Sequence, residues 1–116
     1  MSDACIFCKI VAGTIPAKLL YEDEQVVAFA DIAPQAPVHV LVIPRRHLAS
    51  LDGLTEADRP LVGHLLERVA HVARLLGVAE AGYRTIINTH HDGGQEVYHI
   101  HVHILAGKRI GPMVVR

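Results

Sequence analysis

Three histidines occupy alternate positions near the end of the chain, in the stretch VYHIHVHIL (residues 97–105). They are His99, His101 and His103, and only apolar residues stand between them. Because side chains alternate across a β-strand, this stretch is predicted to carry three imidazoles on one face and apolar groups on the other. Strand pairing does not require imidazole, so an aligned set of three indicates chemistry rather than a polar surface.

Aligned imidazoles have two common uses. Neutral imidazoles at positions i and i+2 can reach one zinc ion. Alternatively, an imidazole with an ordinary pKa of ~6.5 suits nucleophilic or acid–base work near neutral pH. Just upstream, Asp92-Gly93-Gly94-Gln95 is a flexible loop whose backbone N–H groups can approach an anion, with the Gln95 amide as a further donor. The combination indicates a phosphate-binding loop beside reactive histidines.

Two cysteines near the N-terminus form a second chemical motif. Cys5 and Cys8 are one helical turn apart, a spacing that suits two thiolate ligands of a metal. Taken alone the pair is a weak signal, because a buried cysteine is commonly just a small apolar residue. Of the nine histidines, four outside these motifs are interpreted as surface residues: His64, His71, His90 and His91.

Composition limits the class of protein. The 116 residues suffice for one domain with a single core, 51% are hydrophobic and 20% charged, as in soluble globular proteins. A formal net charge of -1 without a basic patch argues against nucleic-acid binding. No apolar run is long enough to cross a bilayer and no signal-peptide pattern is present, so we expect no membrane partner and a cytoplasmic location.

The elements that must position these residues follow from hydrophobic periodicity. A short helix is predicted over residues 4–12, ended by Gly13. Helical periodicity also covers residues 55–76, with regular helix beginning close to Pro60 and ended by Gly77. Strands are predicted at residues 18–22, 25–32, 38–43, 83–89 and 96–105. This order indicates an α+β domain built on an antiparallel meander, with the apolar face of the last strand packed on the long helix.

Residues 93–105 (GGQEVYHIHVHIL) resemble the signature of the histidine-triad (HIT) nucleotide-binding proteins of the Hint branch, in which three histidines alternate with apolar residues. The resemblance extends along nearly the whole chain, through residues 5–16, 29–39, 42–44 and 82–84 and Asn88. It implies a single HIT domain over residues 1–116. It also implies a five-stranded antiparallel sheet with one long and one short helix, a sheet that continues across a homodimer, and a purine nucleotide site on each subunit.

The resemblance also assigns roles. His101 would attack the α-phosphorus and form a nucleotidyl-histidine that water then hydrolyses. The implied catalytic set is completed by His103, His99 and His39, the last two as supporting imidazoles. The phosphate would be contacted by His103, Asn88, Gln95 and the N–H groups near Val97, and the ribose by Asp31. The implied apolar slot for the base consists of Ile6, Phe7, Ile10, Phe29 and Ile32.

Two positions depart from the pattern of animal members. Glu96 stands where some of them carry a small hydroxyl residue; a carboxylate repels phosphate, so we expect Glu96 to point away or to contact the leaving group. The C-terminal segment, residues 110–116, also differs and would tune specificity if it reaches the partner's site.

Related HIT proteins with Cys-Ile-Phe-Cys bind zinc through both cysteines and two histidines. By resemblance, the ligands here would be Cys5, Cys8, His47 and His99. Such a zinc is structural, and catalysis itself requires no cofactor.

The leading interpretation is a hydrolase that cleaves the P–N bond of adenosine 5'-phosphoramidate and of AMP–amine adducts. One alternative is a dinucleoside polyphosphate hydrolase, and another is an AMP-binding regulatory module with incidental turnover. A metalloprotein with one zinc on the three triad histidines is disfavoured, because no carboxylate-rich motif completes a catalytic metal centre.

Overall fold

The computed structural model describes residues 4–115. They form a five-stranded antiparallel sheet with helices against both faces. The helices are α1 (Ile6–Ala12), α2 (Arg59–Leu75) and the single turn α3 (His90–Gly93). The strands are β1 (Leu19–Glu22), β2 (Val26–Ala30), β3 (Val38–Pro44), β4 (Arg84–Ile86) and β5 (Val102–Ala106), in the order β1-β2-β3-β5-β4. Short 3-10 turns cover Leu51–Gly53 and Glu56–Asp58.

The core has two layers because successive residues of β2 and β3 point to opposite faces of the sheet. One layer packs Val26, Val40 and Val102 against Leu65 and Val69 of α2. The other layer packs Phe7 of α1 against alternate residues of the same strands, namely Val27, Phe29, Leu41 and Ile43. Covering both faces explains why β2 and β3 are almost continuously apolar.

The long helix follows its sequence signals. The Asp58 carboxylate accepts a hydrogen bond from the backbone N–H of Thr55 (2.9 Å), and Pro60 stands in the first turn of α2, where a missing N–H costs nothing. After the helix, Gly77 has φ of 74°, a left-handed conformation that glycine adopts without strain. Both predicted helices are therefore confirmed, and α2 begins at Arg59, next to Pro60.

Both strands predicted in the second half of the chain are present, but their predicted bounds and the predicted meander are wrong. β4 and β5 are shorter than residues 83–89 and 96–105, and the loop between them contains α3. Residues 97–99 bend, and the backbone N–H of Ile100 donates to the Leu48 carbonyl (2.6 Å) in a loop instead of a strand. The sheet is not a simple meander either, because the chain reaches the far edge as β4 after α2 and returns as β5 between β3 and β4.

None of the helices described within residues 4–115 has the length and the apolar character needed to cross a bilayer.

Candidate active site

A cleft of about 690 Å³ opens on the side of the sheet that carries α1. Side chains from α1, the end of β2, the start of β3, the β4–β5 connection and β5 surround it. Predicted site residues that line it are Ile6, Phe7, Ile10, Phe29, Asp31, Ile32, His39, Asn88, Val97, His101 and His103. The structure thus brings most of the predicted residues together, and two of them, His99 and Gln95, lie outside the lining.

His101 is held in one tautomer. Its Nδ1–H donates to the backbone carbonyl of His99 (2.8 Å), which leaves the lone pair of a neutral ring on Nε2. The ring is 6% exposed and meets the edge of Phe7, with ring centroids 5.1 Å apart. Burial lowers the pKa of His101 below its ordinary value, although the hydrogen bond to His99 opposes the shift. His101 is therefore a neutral imidazole with one defined nucleophilic nitrogen.

His103 and His39 form a pair on neighbouring strands. The β3–β5 register sets Leu41 opposite His103 and His39 opposite Leu105, so the two imidazoles are diagonal neighbours on one face. Nε2 of His39 lies 2.9 Å from Nδ1 of His103 and 3.4 Å from an Asp31 carboxylate oxygen. Burial, with the neighbouring His101 and His39, lowers the pKa of His103 to about 4. Both triad rings that line the cleft are consequently neutral at pH 7.

The three residues Asp31, His39 and His103 have ligand atoms within 4.8 Å of one another, a spacing that a metal ion can also use. However, two imidazole nitrogens 2.9 Å apart are at hydrogen-bond distance. The backbone N–H of Gln35 occupies the other nitrogen of His39 (3.0 Å). These contacts join the three residues in a hydrogen-bonded chain.

The apolar end of the cleft is open on one side. Phe7 and Phe29 make an edge-to-face contact at 5.4 Å and form its floor, and Ile10 packs against the same cluster. Ile32 lies at the lip with 97% of its surface exposed. A flat apolar ring inserted here would be covered by Phe7 and Phe29 and would in turn cover Ile32. Asp31 is adjacent, one carboxylate oxygen accepting from the Ala33 N–H (2.8 Å).

The loop between β4 and β5 contributes Asn88, Gly94, Glu96 and Val97 to the cleft. The prediction that the Gln95 amide faces the phosphate is not supported, because Gln95 is buried and its amide is engaged inside the protein. Its Nε2 donates to the carbonyls of Ala49 (2.8 Å) and Val97 (3.1 Å), and its Oε1 accepts from the His90 N–H (3.0 Å). Gln95 therefore fixes the loop that carries the lining residues.

His99 belongs to a different cluster from the other two triad histidines. It is fully buried, and its Nε2–H donates to the Pro44 carbonyl (2.7 Å), so the lone pair is on Nδ1. That nitrogen lies 3.5 Å from Sγ of both Cys5 and Cys8. The prediction that three rings share one cleft face is wrong for His99, since the bend at residues 97–99 turns it away. A single metal site on all three triad histidines does not fit this geometry.

The four donors Cys5, Cys8, His47 and His99 fit a tetrahedral zinc site. Their ligand atoms lie within 4.8 Å of one another, and Nδ1 of His47 is 3.2 Å from the Cys8 sulfur. Burial, together with the hydrogen bond and charge of Cys5, raises the pKa of the Cys8 thiol to about 11. In the metal-free protein this thiol is protonated, and a metal ion would have to displace its proton.

The remaining histidines lie outside both clusters. His91 is exposed as predicted, and so is His90, which has φ of 59°. His64 and His71 are half-buried instead of exposed: His64 Nε2 lies 2.8 Å from an Asp23 carboxylate oxygen, and His71 packs edge-on against Tyr21. The sequence did not indicate these contacts because β1 and α2 are far apart along the chain.

The C-terminal segment does not line the cleft within the described chain. Arg84 donates to the carbonyls of Gly111 (2.8 Å) and Pro112 (3.0 Å), and Met113 and Val115 are largely exposed. The last residue of the predicted specificity segment, Arg116, lies outside the described residues.

Comparison with known proteins places these features in context. The HIT domain family model matches residues 12–110. Purine nucleoside phosphoramidase of Escherichia coli K12 is 43% identical over 114 residues, which cover 98% of this chain and 96% of that protein. A HIT family hydrolase from Legionella pneumophila superposes with a TM-score of 0.90 at 45% identity, covering 92% of this chain and 96% of that one. A histidine triad protein from Clostridium difficile gives 0.94 at 42% identity, with 98% and 99% covered.

Proposed function

Because this chain belongs to the histidine-triad (HIT) family, we propose that it is a purine nucleoside phosphoramidase, as its Escherichia coli relative is named. Its substrates would be adenosine 5'-phosphoramidate and adducts of AMP with amines. The proposal rests on the His101 ring, which lines the cleft as a neutral imidazole with its lone pair on Nε2. The whole chain, residues 1–116, is proposed to be a single HIT domain.

The reaction proceeds by two displacements at the α-phosphorus. His101 Nε2 attacks phosphorus while the P–N bond to the amine breaks, and the leaving nitrogen takes up a proton from solvent and departs as the free amine. The resulting nucleotidyl-imidazole is then attacked by water, which breaks the new P–N bond, releases AMP, returns a proton to solvent and restores the neutral ring. The ring is positively charged while it is bonded to phosphorus, and the hydrogen bond from its Nδ1–H to the His99 carbonyl strengthens in that state.

Charge on the phosphoryl oxygens would be balanced by donors that surround them. Asn88, His103 and the backbone N–H near Val97 line the same cleft and are proposed to contact these oxygens. Asp31 is proposed to accept hydrogen bonds from the ribose hydroxyls, and the slot of Ile10, Phe7, Phe29 and Ile32 to hold the base.

Glu96 favours an amine leaving group over a polyphosphate. Its side chain is exposed and lines the cleft beside Val97. A leaving amine gains positive character as it takes up a proton, which a carboxylate stabilises, whereas the second nucleotide of a dinucleoside polyphosphate brings further negative charge. Phosphoramidase activity therefore fits this cleft better than polyphosphate hydrolysis.

The site of Cys5, Cys8, His47 and His99 is proposed to hold a structural zinc ion. When bound, the ion would supply four coordinate bonds that join α1, the segment after β3 and the bend before β5. It takes no part in the displacements, for which no cofactor is proposed. A homodimer whose sheet continues across the subunits and a cytoplasmic location remain predictions, as do the absence of nucleic-acid and membrane partners.

The test follows AMP release from adenosine 5'-phosphoramidate by wild type and His101→Ala, with AMP affinity measured in parallel. We expect turnover to fall by about 10³-fold or more in the variant while AMP still binds. His91→Ala, which alters an exposed histidine, is the matched control and should keep full activity. If the wild-type protein binds AMP but forms no AMP from adenosine 5'-phosphoramidate, the proposal fails. The protein would then be a binding module or act on another leaving group, and dinucleoside polyphosphates would be the next substrates to test.

A further inference from the structure

Glu96 presents a free carboxylate to the cleft. Its side chain is exposed at the cleft wall, and among residues 4–115 it has no hydrogen-bond or ion-pair partner. The other carboxylate of the cleft is engaged: Asp31 accepts from the Ala33 N–H (2.8 Å) and lies 3.4 Å from His39 Nε2. A positively charged ligand that enters the cleft therefore finds its free counter-charge at Glu96.

The backbone on both sides of Glu96 is held in place. Before it, the buried Gln95 side chain donates to the Ala49 carbonyl (2.8 Å). After it, Val97 packs against the apolar cluster that contains Phe7. The carboxylate thus stands on a fixed base and reaches a ligand through the length of its own side chain.

The wall of the cleft lacks positive side chains. The part of the chain that the structure describes places no lysine or arginine in that wall, whereas Asp31 and Glu96 both line it. Their charges are felt at the reacting group: burial lowers the pKa of His101, and the charges of Asp31 and Glu96 oppose that shift. The cleft therefore lies in a negative field, although its proposed substrate is itself an anion.

A negative cleft distinguishes leaving groups by their charge. The adduct of AMP with a simple alkylamine has one negative charge, on the phosphoryl group. An amine with a second, cationic end makes the adduct neutral overall, whereas an amine with a carboxylate end makes it doubly negative. Because the field of the cleft repels anions and attracts cations, the cationic adduct is favoured and the doubly negative one is disfavoured.

We propose that Glu96 is a specificity-determining residue that selects leaving amines with a second positive charge, so that AMP adducts of diamines and related cationic amines are the preferred substrates. The inference rests on the proposed function and names its substrate class. The bonds that form and break are those of the two displacements described above. The second ammonium group keeps its protons, takes no part in these steps and pairs with the Glu96 carboxylate.

Three adducts of AMP with amines of matched length test this preference: those of putrescine, pentylamine and δ-aminovalerate, whose far ends are cationic, neutral and anionic. The measured quantity is the ratio of kcat/KM for the putrescine and pentylamine adducts. This ratio is compared between wild type and Glu96→Gln, so the intrinsic reactivity of the adducts and any general effect of Glu96 on His101 cancel.

We expect the ratio to fall by about fivefold in Glu96→Gln, the effect of one exposed ion pair, and the δ-aminovalerate adduct to be the poorest substrate of wild type. Added salt should lower the ratio in wild type and leave it unchanged in the variant. Glu80→Gln is the matched control, because Glu80 is exposed and does not line the cleft. An unchanged ratio in Glu96→Gln would overturn the proposal, and so would an equal fall in Glu80→Gln, which would assign the preference to the net charge of the protein.

Binding without turnover separates this inference from the proposed function. If wild type hydrolyses none of the adducts, the phosphoramidase assignment fails, and the Kd values of the putrescine and pentylamine adducts in His101→Ala then decide the role of Glu96. Tighter binding of the putrescine adduct that disappears in His101→Ala/Glu96→Gln would retain the recognition of charge. Equal Kd values for the two adducts in His101→Ala would refute it as well.

Discussion

At the residue scale, His99 and His101 use their ring nitrogens in opposite ways. His99 donates from Nε2 to the Pro44 carbonyl and leaves Nδ1 for the cysteine cluster, whereas His101 donates from Nδ1 to the His99 carbonyl and leaves Nε2 for the cleft. In each case a backbone carbonyl decides which nitrogen keeps its lone pair. Residue type alone therefore could not assign these two histidines to different sites, although their positions in the motif are only two apart.

Ile32 provides a residue-scale prediction. An isoleucine with 97% exposure at the lip of the cleft gains burial only when something covers it. For Ile32→Ser we expect a rise in KM of about fivefold for adenosine 5'-phosphoramidate, which corresponds to about 1 kcal/mol of lost apolar burial, with kcat unchanged. Steady-state kinetics checks it, with Ile32→Leu as the control that keeps the apolar area. An unchanged KM in Ile32→Ser would mean that the base does not contact this residue.

At the element scale, the connection between β4 and β5 is held by one buried side chain. Gln95 donates hydrogen bonds to two carbonyls and accepts one from a backbone N–H, and it thereby links the segments that contain Ala49, His90 and Val97. His90 at the start of α3 has φ of 59°, a conformation that a residue with a side chain adopts at some cost. The loop geometry thus depends on contacts that compensate this cost.

Gln95→Ala is therefore expected to lower both stability and activity. Loss of the three hydrogen bonds of the buried Gln95 side chain should reduce the free energy of unfolding by about 1–3 kcal/mol, and the displacement of Val97 should lower kcat. Urea unfolding and steady-state kinetics measure the two effects. Gln25→Ala is the matched control, because Gln25 is exposed and the change there should stay within about 0.5 kcal/mol. Similar values for the two variants would show that the Gln95 contacts do not hold the loop.

Hydrophobic periodicity predicted β1 to β3 and both helices, whereas most of the cleft residues were predicted from the resemblance to the HIT family. Helical periodicity and apolar strands record burial directly, as Leu65 and Val69 on α2 illustrate. The bend at residues 97–99 has no such record, because the alternation of histidines with apolar residues begins at His99, within the bend, and favours a continuous strand. Likewise, the sequence does not distinguish a buried glutamine from an exposed one. The internal role of Gln95 is visible only from its long-range hydrogen bond to Ala49.

At the scale of the whole molecule, the cysteine–histidine cluster joins parts that are far apart in sequence. Cys5 and Cys8 come from the start of α1, His47 follows β3, and His99 precedes β5. The apolar contact of α1 with the sheet is made mainly by Phe7. A metal ion held by these four ligands would therefore stabilise the folded chain as a unit.

We accordingly expect purified protein to contain about one zinc ion per chain, by elemental analysis, and Cys8→Ala to contain none. Loss of the ion, by this substitution or by chelation, should lower Tm by about 10 °C or more. His101→Ala should keep its zinc, because His101 is not a member of the cluster. Zinc loss in His101→Ala with retention in Cys8→Ala would instead place the metal in the cleft.

Acid should destabilise the folded protein through its neutral imidazoles. Burial lowers the pKa of His101 and His103 from the ordinary value of 6.5, and that of His103 reaches about 4. Below pH 6.5 these histidines therefore bind protons in the unfolded chain but not in the folded chain. Their contribution to the free energy of unfolding is fully present above pH 6.5 and is lost as pH falls towards 4. Asp23 contributes at lower pH. Burial opposes its ionisation, but hydrogen bonds from Tyr21, the Gln25 N–H and His64 hold its pKa well below 3.8. Its contribution to the free energy of unfolding is therefore lost only as pH falls below 3.8.

Urea unfolding between pH 8 and pH 4 measures this effect. The midpoint should stay nearly constant down to about pH 6.5 and then decrease, with His103 alone accounting for about 1–2 kcal/mol after allowance for solvent screening. In His103→Gln the decrease between pH 6.5 and 4 should be shallower by that amount, because the amide does not titrate. Equal slopes in wild type and variant would show that His103 is protonated in the folded protein as readily as in the unfolded chain, which would contradict a neutral ring in the cleft.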